Sequence, residues 1–402
     1  MNPNTPRLPT LIALNAVSGL AHLAQFGLLY PLVALYLSAQ GMPAWAVGLV
    51  GTLFWSGMLL GSTWAPRLMF DLGARRVVAL AAALTVLAAL GFTQLPLRGA
   101  VPAWLLWGAV GSLVGVGTGL RWVANESWLY SLCGTGNLGA VVGWHETLIH
   151  AVQALGPVVI AAVGLASVAG FYWAALAAAL CFAALPLARL PMPAASMAVR
   201  PIGPWRLLLN MLHSVRSAQQ GAAARLGIWS GLMDGVLYGM FAVYCVQRGV
   251  SAQQAAVLMV VFGLGGLLTS APLGLLCDRK GVAFALRLMV YAGLAMAALL
   301  LLASSAEENW ALWLAAAVLG MLSPLTLTMI VATQEASRPE FKGDLGQAIG
   351  QASLAFTLGT VAGPALAGWV LDAGGTLAYT VLVALLCLAG LGLNVRRHAP
   401  CA

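Results

Sequence analysis

Apolar stretches of at least 18 residues recur along the whole of this chain, and each can cross a hydrocarbon core about 30 Å thick. A backbone in lipid must satisfy its own hydrogen bonds, so such stretches fold as helices. Of the 402 residues, 61% are hydrophobic and only 7% are charged, whereas a soluble domain carries roughly a quarter charged residues. The sequence therefore predicts an all-α membrane protein.

Twelve apolar stretches can be placed, in two sets of six on either side of the only long polar segment. We expect two six-helix bundles, at 1–188 and 223–402, joined by a cytoplasmic linker at 189–222. The first six transmembrane helices are predicted at 10–38, 44–65, 77–95, 103–131, 138–165 and 169–188. The last six are predicted at 223–248, 253–276, 282–303, 310–334, 344–370 and 377–395.

The formal net charge is +8, but the basic residues lie in short segments between apolar stretches and form no cluster that could bind nucleic acid. With a cytoplasmic N-terminus, 16 of the 19 Lys and Arg residues fall on the cytoplasmic side. Arg98 and Arg248 fall outside, and Arg121 lies within the fourth span. We therefore expect a multi-pass inner-membrane protein with both termini in the cytoplasm and an even number of spans.

The linker contains a segment with apolar residues at helical spacing, which favours an amphipathic helix on the cytoplasmic leaflet. The alternative is a disordered tether. The apolar residues are Trp205, Leu208, Leu209, Leu212 and Val215. The polar residues on the other faces are Arg206, Asn210, His213 and Arg216.

An internal repeat relates the two sets of spans. The segment 136–157 carries Gly-x-Leu-Gly, a further Gly and a Gly-Pro step, and 343–364 carries the same residues at an offset of 207. Asp71 and Asp278 share this offset, and the Ser-Gly-Leu of the first span recurs in the seventh. Matches in three places favour a duplicated bundle, in which binding sites lie between the halves near the midplane.

The segment 274–281, Gly-Leu-Leu-Cys-Asp-Arg-Lys-Gly, and a weaker version at 67–76 make the chain resemble the major facilitator superfamily. The resemblance implies a twelve-span transporter. It also implies that the charges of this motif form a latch between the cytoplasmic ends of the halves, although they could equally serve only to set topology. The candidate latch residues are Asp71, Arg75, Arg76, Glu126, Asp278 and Arg279. Glu126 is one of these candidates because it could pair with Arg75 or Arg76.

Gly-Pro steps at 156–157 and 363–364 are similar to a motif of drug/proton antiporters within that superfamily. The upstream glycines of the motif are absent from span five, and span eleven holds the fuller version. The resemblance implies a drug/proton-antiporter-like branch.

Polar residues within spans one and seven fall on single helical faces. Span one carries a stripe that includes His22 and Gln25, and span seven carries one that includes Asp234 and Tyr238. Charges in a bilayer are rare and usually face a cavity or a partner. We expect these four residues to bind substrate or protons near the midplane. The alternative is that they form hydrogen bonds between packed helices.

Span five carries Glu146 and His150 one turn apart, where they could share a proton. Arg121 of span four could reach Glu146. We expect all three to bind substrate or protons, and the alternative is a buried structural ion pair. His145 and His150 are five residues apart and so lie on different faces, which excludes a metalloprotease zinc site. We expect no metal.

These features favour a secondary active transporter that works by proton-coupled efflux of a small, drug-like or siderophore-like organic molecule by alternating access. A proton symporter that imports a small metabolite is the alternative. The sequence contains no nucleotide-binding loop or nucleophile elbow, so we do not expect an enzyme. We expect no cofactor and no nucleic-acid partner, and we expect a monomer whose partners are substrate, protons and the lipid bilayer.

Overall fold

The computed structural model describes most of the chain. Its described residues are 8–131, 138–165, 168–187, 203–216, 221–305, 310–323 and 345–393. Within them the secondary structure is helical throughout, with short connections and no strand. The prediction of an all-α protein is therefore confirmed for these parts of the chain.

Eight helical elements make up what we call the N-terminal set. They are α1 Leu8–His22, a π-helical segment Leu23–Leu29, α2 Tyr30–Ala39, α3 Ala44–Leu72, α4 Ala74–Phe92, α5 Ala103–Ser131, α6 Leu138–Val163 and α7 Ala169–Ala184. A 3₁₀ turn, Leu185–Leu187, follows α7. Helix α8, Pro204–Ser214, lies in the predicted linker.

Five helices make up the C-terminal set. They are α9 Gly221–Gln247, α10 Ala252–Lys280, α11 Val282–Ser305, α12 Trp310–Leu322 and α13 Leu345–Leu391. Gly375, with φ 65°, interrupts the helical backbone of α13 and divides it in two. Residues 324–334 of the predicted tenth span lie outside the described residues.

Ten helices of the described chain are long and apolar enough to cross a membrane. They include the continuous first span, Ile12–Ala39, which runs from α1 through the π-helical segment into α2. Some boundaries differ from the prediction: α3 continues to Leu72, past the predicted end at 65. The multi-pass membrane character is thus established, whereas the count of twelve spans stays a prediction.

Glycines set how closely the helices pack. A Cβ atom added at Gly115 of α5 would lie only 1.9 Å from the carbonyl oxygen of Phe54 in α3. No side chain fits there, so the two backbones are in contact, as small residues allow between membrane helices.

The repeated Gly-Pro steps have the same packing role in both sets. A Cβ atom at Gly156 would lie 1.9 Å from the carbonyl oxygen of Gly27, and one at Gly363 would lie 2.7 Å from Gly235. Each step therefore packs its helix against the first span of its own set. The pattern that indicated a repeat in the sequence is a pattern of helix contacts.

The most extensive contacts between the two sets join α3 with α13, α6 with α10, and α2 with α9. The residues described below lie along these contacts.

We expect Gly115→Ala to destabilise the N-terminal set, because overpacking a close contact costs about 1–3 kcal/mol. The free energy of unfolding in detergent, measured by denaturant titration, reports this. Gly91→Ala is the matched control, since a Cβ atom there meets only a Val110 methyl at 3.6 Å. Equal stability of the two variants would contradict this account of the packing.

Candidate functional site

The first span changes helical type where it meets the C-terminal set. The π-helical segment Leu23–Leu29 widens the turn and disturbs the regular pattern of backbone bonds, as π-bulges at functional sites do. The hydroxyl of Tyr238 in α9 donates a hydrogen bond to the carbonyl oxygen of Phe26 within this segment. Tyr238, predicted as a binding residue, therefore bonds the two sets directly.

Tyr238 also belongs to an aromatic cluster that the sequence analysis did not identify. Its ring stacks on Tyr30 at 5.5 Å and on Phe262 at 5.3 Å between centroids. Trp55 donates from its indole nitrogen to the Tyr30 hydroxyl at 2.8 Å. These rings come from four different helices in both sets, so sequence spacing alone could not have revealed their contact.

Asp234 lines a small cavity in the C-terminal set, with room for about one water molecule. Ser230 and Ser323 contribute hydroxyls to the same cavity, and the remaining lining is apolar or aromatic and includes Phe262 and Phe356. The predicted stripe on span seven thus faces the protein interior, and Asp234 points towards this cavity. A carboxyl in such a cavity can meet a substrate or a proton.

A second small cavity, again with room for about one water molecule, lies mainly within the N-terminal set. Its lining is apolar apart from Tyr30 and includes Phe54 and Gly239 of α9. Because Tyr30 stacks on Tyr238 and Tyr238 stacks on Phe262, one aromatic stack connects the walls of both cavities.

Arg121 is buried and bonded to the polar stripe of the first span. Its Nε donates to the side-chain oxygen of Gln25 at 2.9 Å, and its Nη1 lies 3.5 Å from the Ser18 hydroxyl. Gln25 in turn donates to the Thr85 hydroxyl at 2.9 Å. The predicted stripe on span one therefore faces α4 and α5, with Gln25 1% exposed and Arg121 3% exposed.

Two buried carboxyls accompany Arg121. Glu126 and Glu146 both interact electrostatically with its guanidinium, and the two carboxyls also interact with each other. Among the described residues no direct ion pair forms between them. We call Arg121, Glu126 and Glu146 the charge cluster. With every group ionised it holds one positive and two negative charges, so one bound proton makes it neutral.

His22 lies beside the charge cluster and is 4% exposed. Neither ring nitrogen has a hydrogen-bond partner among the described residues, and the ring lies 4.8 Å from that of Phe26. Arg121 acts on His22 electrostatically, and the Gln153 side chain faces both His22 and Tyr238. His22 and Asp234 are 212 positions apart, the same offset as the Ser-Gly-Leu segments of spans one and seven. They nevertheless lie in different surroundings, His22 beside the charge cluster and Asp234 on a cavity.

His150 bridges the two sets, and its contacts differ from those predicted. Its Nδ1 lies 2.8 Å from the backbone oxygen of Glu146 and 3.0 Å from the Ser270 hydroxyl, and its Nε2 lies 2.9 Å from the Ser323 hydroxyl. The expected sharing of a proton with the Glu146 carboxyl is therefore corrected, because the ring turns towards α10 and α12. Through Ser323, His150 reaches the wall of the Asp234 cavity.

The predicted latch residues are only partly placed by the structure. Asp71 forms a 3.8 Å ion pair with Arg67 one turn away in its own helix. Arg75, Arg76 and Arg279 are exposed. The side chain of Asp278 lies outside the described residues, so the latch itself stays a prediction.

Glu126 requires a correction. It is 4% exposed, and its charged neighbours are Arg121 and Glu146 in place of the exposed Arg75 and Arg76. The physical reason is its helical face: α5 directs Glu126 into the N-terminal set and away from the loop that carries the arginines.

Asp372 forms hydrogen bonds between the two sets that the sequence analysis did not predict. One carboxylate oxygen accepts from the backbone nitrogen of Ala44 at 3.2 Å, and the other accepts from that of Trp45 at 2.7 Å. Gln247 of α9 donates to the same group at 3.1 Å. Asp372 thus caps the N-terminus of α3, where the helix dipole favours a negative charge. We call this the Asp372 end of the protein.

Comparison with known proteins identifies relatives in sequence and in fold. Residues 16–343 match the Major Facilitator Superfamily. An uncharacterized MFS-type transporter of Yersinia pestis is 28% identical over 338 residues, which cover 83% of this chain and 82% of the relative. A corresponding Yersinia enterocolitica protein is 27% identical over 342 residues, again 83% and 82% of the two chains.

Two crystal structures share the fold. The nucleoside transporter NupG superposes with a TM-score of 0.71 at 14% identity, covering 96% of this chain and 100% of NupG. The human organic anion transporter MFSD10 gives a TM-score of 0.72 at 17% identity, covering 96% and 99%.

We expect Asp372→Ala to loosen the Asp372 end, because the α3 N-terminus and Gln247 both lose their acceptor. Spin labels at Gln40→Cys and Ala373→Cys, in a background with the native cysteines replaced by alanine, measure the separation by pulsed electron resonance. The distance distribution should move to longer values. Asp71→Asn is the control, since Asp71 pairs within its own helix, and an unchanged distribution in Asp372→Ala would refute the role of this cap.

Proposed function

The chain belongs to the Major Facilitator Superfamily, and we propose that within it this protein is a proton-coupled exporter of a small organic molecule. Family membership indicates secondary transport across a membrane. The proposal adds the coupling ion, the direction and the class of cargo. It also adds the arrangement of twelve spans in two bundles. The protein is placed in the inner membrane, with both termini in the cytoplasm.

Two features of the C-terminal set support the count of twelve spans. At 1.5 Å per residue, the 47 residues of α13 would extend about 70 Å, more than twice a hydrocarbon core. Dividing α13 at Gly375 and counting α12 as the start of a further span brings the ten long apolar helices to twelve. The Gly-Pro contacts, alike in both sets, support the division into two halves.

The charge cluster is the observation that carries the proposal of proton coupling. A charge inside the bilayer costs at least about 2.5–3.5 kcal/mol, so an excess carboxylate is retained only where it has a use or a partner. One proton on Glu146 or Glu126 balances Arg121. A neutral carboxyl tolerates dry surroundings that a carboxylate resists, so binding and release of this proton favour different conformations of the cluster.

Asp234 supplies a third carboxyl, on the wall of the cavity in the C-terminal set. His150 and Gln153 lie between the charge cluster and the C-terminal set, because His150 bonds to Ser323 and Gln153 faces both His22 and Tyr238. Substrate at Asp234 can therefore influence the protonation of the charge cluster through polar side chains. This coupling is what exchange of substrate against protons requires.

Both cavities are small in this conformation, with room for about one water molecule each, so a cargo enters only when the halves open; their mostly apolar and aromatic walls favour a drug-like or siderophore-like compound. NupG is a nucleoside transporter and MFSD10 an organic anion transporter, so proteins of this fold handle different cargo. Export is favoured over import by the Gly-Pro steps, which resemble those of drug/proton antiporters. In this proposal the halves rock about the cavities, and the Asp372 end faces the outside.

A substrate is first identified with purified protein in liposomes that contain a pH-sensitive dye, screened with chemically diverse compounds. We then expect Glu146→Gln and Asp234→Asn to reduce gradient-driven transport by about 100-fold or more, the usual contribution of a positioned proton-transfer group. Exchange of labelled substrate without a gradient should persist in Glu146→Gln, which serves as its own control for folding. If both variants keep proton-driven transport intact, the proposed coupling is wrong.

Direction is tested in membrane vesicles of defined orientation. An exporter accumulates substrate in inverted vesicles when the lumen is acidified, because protons then leave as substrate enters. Accumulation only in right-side-out vesicles, with protons and substrate entering together, would instead identify the importing symporter.

A further inference from the structure

Helix α8, Pro204–Ser214, packs against both sets of helices. Leu207 and Met211 are buried against Leu354 and Ala355 of α13, and the partly buried Leu59 of α3 joins the same cluster. Arg225 of α9 donates from Nη1 to the backbone oxygen of Val215 at 2.8 Å, just after α8 ends. One face of α8 is therefore held by α3, α9 and α13.

A second apolar face of α8 is exposed. Trp205, Leu209 and Leu212 stand at i, i+4 and i+7 and are 65%, 52% and 43% exposed. Leu208 and Val215, which the sequence analysis grouped with them, instead join the face that packs on the protein. The two apolar faces lie about a third of a turn apart, so one helix presents apolar side chains in two directions.

The remaining face of α8 is polar, and its surroundings are strongly basic. Arg206, Asn210 and His213 are exposed, as is Arg216 beyond the end of the helix. Between residues 188 and 233 the sequence contains five arginines and no acidic residue. A basic segment with an adjoining apolar stripe is complementary to a leaflet of anionic lipid.

The position of α8 allows the same partner. It packs on Leu59 of α3 and Leu354 of α13, in the part of α3 that leads to its end at Leu72 and the part of α13 that follows its start at Leu345. Interfacial helices bury an apolar face in the boundary between headgroups and acyl chains. The exposed apolar stripe of α8 faces a different direction from this protein contact and is free to meet that boundary.

We propose that α8 is an anionic-lipid-binding element. Trp205, Leu209 and Leu212 enter the acyl boundary, and Arg206 and Arg216 contact lipid phosphates. This inference depends on membrane insertion and is independent of the proposed cargo and proton coupling.

Lipid bound at α8 has a consequence for the contact between α3 and α13 beside it. The Ser62 and Ser353 hydroxyls of α3 and α13 meet at 3.1 Å, next to Leu59 and Leu354, on which α8 packs. By holding α8 in place, the anionic leaflet stabilises the contact between α3 and α13 at this end, opposite the Asp372 end.

The location of the stripe is tested with full-length protein containing 5-fluorotryptophan, in nanodiscs with or without a headgroup-linked gadolinium lipid. The fluorine resonance missing from Trp205→Phe is assigned to Trp205. We expect the gadolinium lipid to broaden it strongly. A sharp Trp205 resonance in these discs would overturn the proposal, and protection that appears only at high protein density would indicate that a second copy covers the stripe instead.

The choice of lipid is tested by thermal unfolding in mixed micelles titrated with phosphatidylglycerol, with phosphatidylcholine and inorganic phosphate as separate titrants. Phosphatidylglycerol alone should raise the unfolding temperature. The double variant Arg206→Gln with Arg216→Gln should need about 30-fold more phosphatidylglycerol for half the effect, given the usual contribution of a surface arginine.

Arg98→Gln removes the same charge from an exposed site elsewhere and should leave the titration unchanged. Equal stabilisation by phosphatidylcholine, or by inorganic phosphate, would refute the assignment to anionic lipid. So would an unchanged titration in the double arginine variant.

Discussion

The burial of Arg121 with two carboxyls, inside a helix bundle that lipid surrounds, is the constraint on which the rest of this site depends. Hydrocarbon does not solvate charges, so each charged side chain must face the protein interior and contact polar groups. Gln25 and Ser18 accept hydrogen bonds from the guanidinium, and Glu126 and Glu146 provide the opposing charge. Because the opposing charge exceeds that of the arginine, the cluster is suited to hold a proton.

Hydrogen bonds and packing contacts of the surrounding helices connect this cluster to both ends of the protein. His150 leads from α6 to α10 and α12, where Ser323 borders the Asp234 cavity. The Tyr238 hydroxyl bonds to the π-helical segment of the first span, so a movement of α9 at the cavity displaces the backbone next to His22. Asp372 holds one end of α3 against α13, and α8 packs on the other end, so this pair of helices is held at both ends.

The pattern of the sequence was sufficient for the class of fold and for the inward faces of the spans. Regular spacing placed Ser18, His22 and Gln25 on one face, and Arg121 bonds to Ser18 and Gln25 of that face, which the sequence analysis did not predict. Spacing could not reveal contacts between distant helices, since these depend on how the helices are packed. The aromatic stack, the bonds of His150 and the cap by Asp372 all join residues more than 100 positions apart or from different helices.

Two errors have local physical causes. Glu126 was assigned to the latch by its position along α5, but helical rotation, which decides its partners, turns it inward. The linker helix was assigned one apolar face, whereas Leu207 and Met211 form a second that packs on protein. A face buried by protein and a face meant for lipid are equally apolar, so composition cannot separate them.

The central claim is that the charge cluster holds one exchangeable proton whose occupancy changes with substrate. Substrate-induced infrared difference spectroscopy of the protein in lipid detects the carbonyl stretch of a protonated carboxyl directly. The account predicts that substrate removes or shifts such a band, and that Glu146→Gln abolishes this change while Asp71→Asn retains it. A difference spectrum in which substrate binds and no carboxyl changes its protonation would contradict the account.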